Sequence, residues 1–142
     1  MKKSGGFTVI EIILVIIVLA GASFLFLYQK NHVESAARDN RRKADINTLY
    51  HNLEKVYYSQ HKSYPRELTS QALPAVQPDT FNDPDGIPVN ESKTDDMGLT
   101  TTQSTYRYEP TGCKGDTCTG YTLRADLEAE SDYIKKSDKK KN

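Results

Sequence analysis

One acidic side chain stands inside a long apolar run close to the N-terminus. Glu11 comes four residues after a Gly-Gly-Phe junction, and the surrounding run from Phe7 to Tyr28 is otherwise almost entirely apolar. Inserting a carboxylate into hydrocarbon costs on the order of 2.5–3.5 kcal/mol, and acidic residues in such runs usually face a partner. A plain membrane anchor gains nothing from this residue, so Glu11 calls for a cationic partner in an apolar environment.

Aspartates in the middle of the chain could supply oxygen ligands to a cation. Asp83, Asp85, Asp95 and Asp96 lie within residues 65–105, a segment rich in Pro, Asp, Asn, Thr and Gly. Ca²⁺ takes six to eight hard oxygen ligands, which makes these four residues weak calcium candidates. The spacing of an EF-hand loop is absent, and Asp and Asn also form turns through their own side chains. We favour turn-forming aspartates without a bound metal.

The sequence lacks the local motifs of common catalytic sites. No His accompanies a Ser or Cys in a recognisable motif, and no glycine-rich phosphate loop is present. We therefore expect neither an enzyme nor a cofactor. Tyr106 and Tyr108, together with Arg107 and Arg124, could stack on single-stranded DNA. A sheet face packed on a helix explains the same residues more simply.

The element that carries Glu11 is predicted to be a helix long enough to cross a membrane. At about 1.5 Å per residue, the 22 residues from Phe7 to Tyr28 cover roughly 33 Å. Lys2 and Lys3 precede the run and are expected to stay in the cytoplasm, which places the rest of the chain outside. In a secretory signal the small residues follow a shorter apolar run, whereas here Ser4-Gly5-Gly6 precedes it. Cleavage after these residues would leave the apolar run on the mature protein; an uncleaved single-span anchor is the alternative.

Two cysteines lie close together in the C-terminal part of the chain. Cys113 and Cys118 are the only cysteines. An even number of closely spaced cysteines in a domain outside the cytoplasm favours a disulfide. A loop this short gains about 2 kcal/mol in the chain-entropy model, and two cysteines fall short of the four ligands of a zinc site. A free thiol pair in a reducing compartment stays as the alternative.

Past Tyr28 the apolar pattern becomes amphipathic. Apolar residues recur at spacings of three and four and predict one buried helix face: Ile46, Leu49, Leu53, Val56 and Tyr57. No proline occurs before Pro65. We therefore predict one helix over residues 7–60 that ends before Pro65, since the residue preceding a proline disfavours helical geometry.

Two strands are predicted in the C-terminal part. Tyr106 and Tyr108 alternate with charged residues, and apolar and polar residues alternate again from Tyr121 to Glu128. An antiparallel hairpin joined across residues 110–120 would pack its apolar face on the helix. The predicted fold class is α+β. Its segments are an apolar helix (7–28), an amphipathic continuation (29–62), a small globular head (63–131) and a basic, flexible tail (132–142).

The start of the chain resembles a known family. Lys-Lys-Ser-Gly-Gly at residues 2–6, followed by Phe-Thr-Val-Ile-Glu and an aliphatic run, resembles the class III leader of type IV pilins and type II secretion pseudopilins. The resemblance implies that a prepilin peptidase cuts between Gly6 and Phe7, removes the leader peptide 1–6, and that the new Phe7 amine is methylated. It implies that Glu11 pairs with the Phe7 amine of a neighbouring subunit. The α+β fold would then be pilin-like.

Two further segments resemble this family, and one feature departs from it. The region from Ala44 to Pro65 is similar to the stem-to-head region of pilins and pseudopilins, and Asp83-Pro84-Asp85-Gly86 is similar to a segment of major pseudopilins and of some pilins. Many type IV pilins carry a proline at about the position of Tyr28. This chain has none there, so any loosening of the helix on assembly would have to centre on Gly21.

The resemblance predicts a structural subunit of a type IV pilus. The chain would be a single-pass membrane precursor with its C-terminus outside, and later part of a cell-surface filament. Its implied partners are further copies of itself in a helical homopolymer, the prepilin peptidase, the pilus or secretion assembly machinery, and membrane lipid before assembly; surface or DNA contacts stay open. One alternative is a pseudopilin of a type II secretion or competence system. An alternative from another class is a single-pass membrane-anchored binding or sensor protein.

Charge is unevenly placed along a chain whose formal net charge is zero. Residues 44–131 carry 7 Lys and Arg against 14 Asp and Glu, whereas residues 30–43 and the tail are basic. This pattern would favour contacts between the head of one subunit and the stem of another. Solvated faces and a frayed tail explain it equally well.

Overall fold

The computed structural model describes residues 8–138, and a continuous helical path occupies the first part of them. Helix α1 runs from Val9 to His51. A π-helical turn at Asn52–Tyr57 follows it, and the short helix α2 occupies Tyr58–His61. The path ends at Lys62, whose left-handed φ of 56° is a common helix stop. One long helix was predicted over 7–60, and its existence is confirmed within the described residues.

Two compact units divide the chain between Ser35 and Ala36. In the first unit every described residue up to Glu34 is exposed. The second unit contains the remainder of the helical path and all the described strands. The predicted leader 1–6, Phe7 and tail residues 139–142 lie outside the described residues.

Seven short strands follow the helices in the described part of the chain and form three antiparallel sheets. They are β1 (Tyr64–Pro65), β2 (Ser92–Thr94), β3 (Thr100–Gln103), β4 (Tyr106–Thr111), β5 (Thr117–Cys118), β6 (Gly120–Ala125) and β7 (Tyr133–Lys136). β1 pairs with β5 and β2 with β3, and the largest sheet has the order β4-β6-β7. In that sheet Tyr108 lies opposite Leu123. The α+β class and the predicted hairpin are confirmed.

A hydrophobic core joins the largest sheet to the helix of the second unit. The helix contributes Ile46, Leu49 and Leu53, all fully buried. The inward face of the sheet contributes alternate residues of β4 and β6: Tyr106, Tyr108, Tyr121, Leu123 and Ala125. Full burial of a Leu or Ile side chain contributes about 1.5–3 kcal/mol, so these contacts hold the sheet against the helix.

The π-helical turn changes the direction of the side chains after Leu53. The 3.6-residue period predicts that Val56 lies on the same face as Leu49 and Leu53, but 37% of Val56 is exposed. Glu54, which that period places beside the apolar face, is only 4% exposed. A π-helical turn closes with i→i+5 hydrogen bonds and therefore rotates the residues that follow. The prediction that Val56 belongs to the buried face is wrong for this reason.

Part of the predicted flexible tail forms a strand. Tyr133–Lys136 is β7 and pairs with β6, whereas the basic composition of residues 132–142 predicted a frayed segment. The ammonium group of Lys135 lies 5.4 Å from the ring centre of Tyr50 and 5.3 Å from that of Tyr133. Cation–π contacts of this kind hold a lysine against the helix. Composition alone does not reveal them.

A second hairpin also differs from the sequence prediction. β2 and β3 lie within residues 65–105, where no strand was predicted, and all their residues are exposed. Threonine has high strand propensity, but a strand exposed on both faces has no apolar alternation. The hairpin therefore lacks the pattern that revealed β4 and β6.

Candidate functional site

The N-terminal part of α1 presents an exposed and almost entirely apolar surface. Its most apolar window has a mean hydropathy of 2.8 and no buried residue. Val9 is 76% exposed and Phe24 is 72% exposed, so large side chains at both ends of this surface are open. By length and composition this helix is able to span a membrane. An exposed apolar surface of this extent marks a contact with lipid or with another protein.

Glu11 lies in the first turn of α1. Its backbone N–H donates to the carbonyl oxygen of Thr8 at 3.0 Å and lies 3.4 Å from the Thr8 hydroxyl. Thr8 thus provides a cap for the helix start, and an acid in the first turn is favoured by the helix dipole. Gly5, Gly6 and Phe7 lie outside the described residues. Cleavage at this junction and pairing of Glu11 with Phe7 therefore stay predictions.

The two cysteines form the expected disulfide. Cys113 is joined to Cys118, which is 1% exposed and belongs to β5. β5 pairs with β1, where Tyr64 lies opposite Cys118. The disulfide closes the loop between β4 and β6 beside the residues that follow the helix, and it thereby fixes one end of the head.

The calcium candidates are not brought together. Asp83 is 1% exposed; its Oδ1 accepts the backbone N–H groups of Asp85 and Ile87 at 3.0 and 2.9 Å, and its Oδ2 accepts that of Thr105 at 2.9 Å. Asp95 in the same way accepts two backbone N–H groups of its own turn. Asp85 and Asp96 are exposed, and no three acidic, His or Cys residues in positions 8–138 are grouped to hold a metal. The oxygens of Asp83 and Asp95 thus order backbone turns.

A buried ionic cluster was missed by sequence reasoning. Asp39 and Arg42 are each 2% exposed, and Arg42 Nη1 lies 2.7 Å from Asp39 Oδ1 and 2.7 Å from Glu128 Oε1. Arg38 donates to both carboxylate oxygens of Glu128, and Lys43 Nζ lies 2.6 Å from Glu130. These contacts attach residues 128–130 to the helix. The charges of this part of the predicted basic stem are thus largely used within the chain itself.

The environment of Asp39 favours its charged form. Burial by itself would raise the pKa of this carboxyl, but the backbone N–H groups of Glu128 and Ala129 and the Arg42 guanidinium together lower it. The Asp39 oxygens accept these N–H groups at 2.8–3.1 Å. The only sign of this cluster in the sequence was the i, i+3 spacing of Asp39 and Arg42. Exposed ion pairs on helices have the same spacing, so it does not indicate burial.

A second buried carboxylate anchors the tyrosines. Glu54 accepts hydrogen bonds from the hydroxyl groups of Tyr64 and Tyr121 at 3.0 and 2.9 Å, and from the backbone N–H of Asp138 at 3.3 Å. Burial, followed by the nearby Glu54 carboxylate, raises the pKa values of both tyrosines. Glu54 therefore joins the helix, β1, β6 and Asp138, the second residue after β7, in one hydrogen-bonded group.

The tyrosines considered for DNA stacking are inside the core. Tyr106 is fully buried and Tyr108 is 2% exposed. Tyr106 donates its hydroxyl to Asp45 Oδ2 at 2.8 Å, and Tyr108 donates to the carbonyl oxygen of Pro65 at 2.7 Å. Neither ring offers a free face to a base, so the packing interpretation of these residues is confirmed.

Known proteins give no independent indication of a family. Compared with family profiles, curated protein sequences and solved structures, the chain matches none of them. A functional interpretation therefore rests on the N-terminal motif and on the contacts described above.

Proposed function

We propose that this chain is a filament subunit of the type IV pilin class. It is made as a single-pass membrane precursor, trimmed between Gly6 and Phe7 by a prepilin peptidase, and polymerised through its apolar helix. The observation that carries the proposal is the exposed apolar helix that has Glu11 in its first turn and follows the Gly-Gly-Phe junction in the sequence.

The extent of the exposed apolar surface supports this role. The apolar window of α1 is 0% buried, and large side chains such as Ile10, Leu14 and Phe26 are more than 60% exposed. Such a surface is stable in lipid, and it is equally stable in a bundle of identical helices. A subunit that moves from membrane to filament needs a helix that is apolar on all sides.

The position of Glu11 supports a role in assembly. A carboxylate placed in hydrocarbon needs a cation, and none follows it in the chain before Lys30. Cleavage after Gly6 creates a cation, because it leaves a free amine on Phe7. In a filament, that amine on one copy neutralises Glu11 on the next and fixes their axial register.

A pseudopilin of a secretion or competence system is the second candidate. The segment from Asp83 to Gly86 favours it, because it is similar to a segment of major pseudopilins. The disulfide between Cys113 and Cys118 favours a pilin. Both candidates share the leader, the helix and polymerisation, so they differ in the machinery that the subunit serves. A membrane-anchored sensor would instead keep its N-terminus intact and form no filaments.

Intact-mass analysis of the mature protein tests the proposal. We expect loss of residues 1–6 and one added methyl group on Phe7. Gly6→Val should leave the full-length precursor in the membrane, because the bulkier side chain stands at the bond to be cut. Ser4→Ala, in the same leader but away from that bond, is the matched control and should be processed normally. A mature protein that still begins at Met1 would contradict the proposal and favour the sensor.

A further inference from the structure

An open cleft lies along the β4 edge of the largest sheet. Its volume is about 380 Å³, and Asn90, Glu91, Arg107 and Glu109 are among its lining residues. Because the strand order is β4-β6-β7, this cleft and strand β7 lie at opposite edges of one sheet. The cleft carries exposed carboxylates, whereas the sequence after β7 continues into a run of lysines.

The cleft offers carboxylates and not backbone groups. The side-chain amide of Asn90 donates to the carbonyl oxygen of Tyr108 at 2.8 Å and accepts the N–H of Tyr108 at 2.9 Å. This amide occupies the edge of β4 as a neighbouring strand would, so the edge is closed to strand addition. Glu91 and Glu109 are exposed, and neither forms an ion pair with any other residue in positions 8–138. The one cation in the lining, Arg107, lies 3.5 Å from Asp126.

Beyond the opposite edge the sequence continues into a run of lysines. Lys136 at the end of β7 is exposed, and the sequence continues from Asp138 into Lys139, Lys140 and Lys141. Asp138 itself is attached to the helix, since its N–H donates to Glu54 and its carboxylate accepts the Tyr50 hydroxyl at 3.0 Å. Asp138 is therefore a fixed point beside the β7 edge, and the three lysines that follow it in sequence lie outside the described residues.

We propose that the cleft of one copy binds the lysines at positions 139–141 of a second copy. This inference rests on the proposed function, since it names a contact between subunits of the filament. A contact between two different surfaces of identical chains is heterologous, and heterologous contacts form open filaments when they do not close into rings. The carboxylates of the cleft and the lysine run that follows β7 in the sequence carry unlike charges and provide such a contact. Exposed ion pairs are individually weak and screened by salt, so they select the register and orientation of copies that the apolar helix holds together.

Co-expression of two full-length variants tests the contact. The first variant carries Glu91→Lys and Glu109→Lys, and the second carries Lys139→Glu, Lys140→Glu and Lys141→Glu. The second retains only the acidic cleft and the first only the basic segment, so a native link between them must join different copies. Membranes and filament fractions are treated with a zero-length carbodiimide reagent, and the linked peptides are identified by mass spectrometry.

We expect links between the cleft carboxylates and the lysines of 139–141 in wild type and in the co-expressed pair. Either variant alone should give none of these links, because the first lacks the carboxylates and the second lacks the lysines that the reagent joins. Glu67→Lys with Asp79→Lys, two exposed positions elsewhere in the head, makes the same change in net charge and should leave the link yield unchanged.

Several outcomes overturn the inference. One is the absence of these links in wild type, and another is a loss of links in the control. The absence of links in the co-expressed pair means that the segment binds its own chain or nothing. A chain that is cleaved after Gly6 and forms filaments without these links would refute this contact and leave the proposed function standing. An uncut chain without filaments would refute the proposed function, a result seen directly in the N-terminal mass.

Discussion

Asp39→Asn is expected to destabilise the second unit strongly, although the two side chains are almost identical in size. Asp39 accepts hydrogen bonds from the backbone of Glu128 and Ala129 and from Arg42. The amide of the substituted side chain keeps one acceptor oxygen but turns an NH₂ group toward donors. Arg42, which is 2% exposed, then retains only Glu128 as a counter-ion.

The expected loss is about 3 kcal/mol of unfolding free energy. Hydrogen bonds to charged groups contribute about 1.5–3 kcal/mol each, and the amide at position 39 would lose at least one of them to the backbone as well as the charge opposite Arg42. Removing one partner of a buried pair typically costs about 3–5 kcal/mol. Glu128 still neutralises part of the Arg42 charge. The expected loss of unfolding free energy is therefore at the lower end of that range. Since a whole domain is stable by about 5–15 kcal/mol, this is a large fraction.

Urea unfolding of the full chain in a mild detergent measures this loss. The near-ultraviolet circular dichroism of the buried tyrosines reports the packing of the second unit, and the chain has no tryptophan to complicate the signal. Glu34→Gln is the matched control, because Glu34 pairs with Lys30 at 3.7 Å and both side chains are more than half exposed. The control should change stability by less than about 0.5 kcal/mol.

The pH dependence of the unfolding free energy gives a second test of the role of Asp39. The native environment lowers the pKa of Asp39 below its ordinary value of 3.8, so the folded state holds the charged form more firmly than the unfolded state does. The stabilisation is therefore complete above about pH 4 and is lost as pH falls through the lower native pKa. The difference between wild type and Asp39→Asn should shrink as the pH falls below about 4 and through the lowered native pKa. A loss under about 1 kcal/mol at pH 7, or a difference that does not change with pH, would refute the account of this cluster.

Three further outcomes are expected. Leu53→Ala should cost about 2–5 kcal/mol of unfolding free energy in the same urea assay. Val56→Ala should cost under about 1 kcal/mol, because the π-helical turn leaves Val56 partly exposed. Equal costs would contradict the rotation of the side chains by this turn. Glu11→Ala should leave cleavage and membrane insertion intact while the number of filaments counted by electron microscopy falls sharply, and a normal count would remove Glu11 from assembly. A chain without residues 1–28 should be monomeric in gel filtration with light scattering, and thiol titration should find no free cysteine; aggregation or two reactive thiols would argue against a self-contained head closed by a disulfide.

Periodicity predicted the parts of the fold in which apolar residues mark one face. Ile46, Leu49 and Leu53 recur at helical spacing, and all three are in the core. The alternation of Tyr106 and Tyr108 likewise predicted the inward face of β4. In each case the element has one face toward solvent and one toward the core, so polar and apolar residues alternate with its period in the sequence.

The missed elements lack such a pattern. β2 and β3 are exposed on both faces, and β7 is held partly by Lys135 over aromatic rings. The π-helical turn interrupts the 3.6-residue helical period at Leu53. No proline or glycine in this turn indicates the interruption in the sequence. Burial of Asp39 and Glu54 depends on donors far along the chain, whereas charged residues are exposed by default.

The buried carboxylates also impose an order of events on the newly made chain. The donors to Glu54 come 10, 67 and 84 residues later, and the backbone donors to Asp39 come 89 and 90 residues later. A chain that emerges from its N-terminus, during synthesis or passage through a membrane, therefore lacks the long-range donors to both carboxylates until its C-terminal part is delivered. Contacts of such long separation form slowly, and closing a core over an unpaired charge costs about 3–5 kcal/mol. A chain that stops before residue 126 is thus unable to complete this fold, so the arrangement of its charges distinguishes a finished chain from an unfinished one.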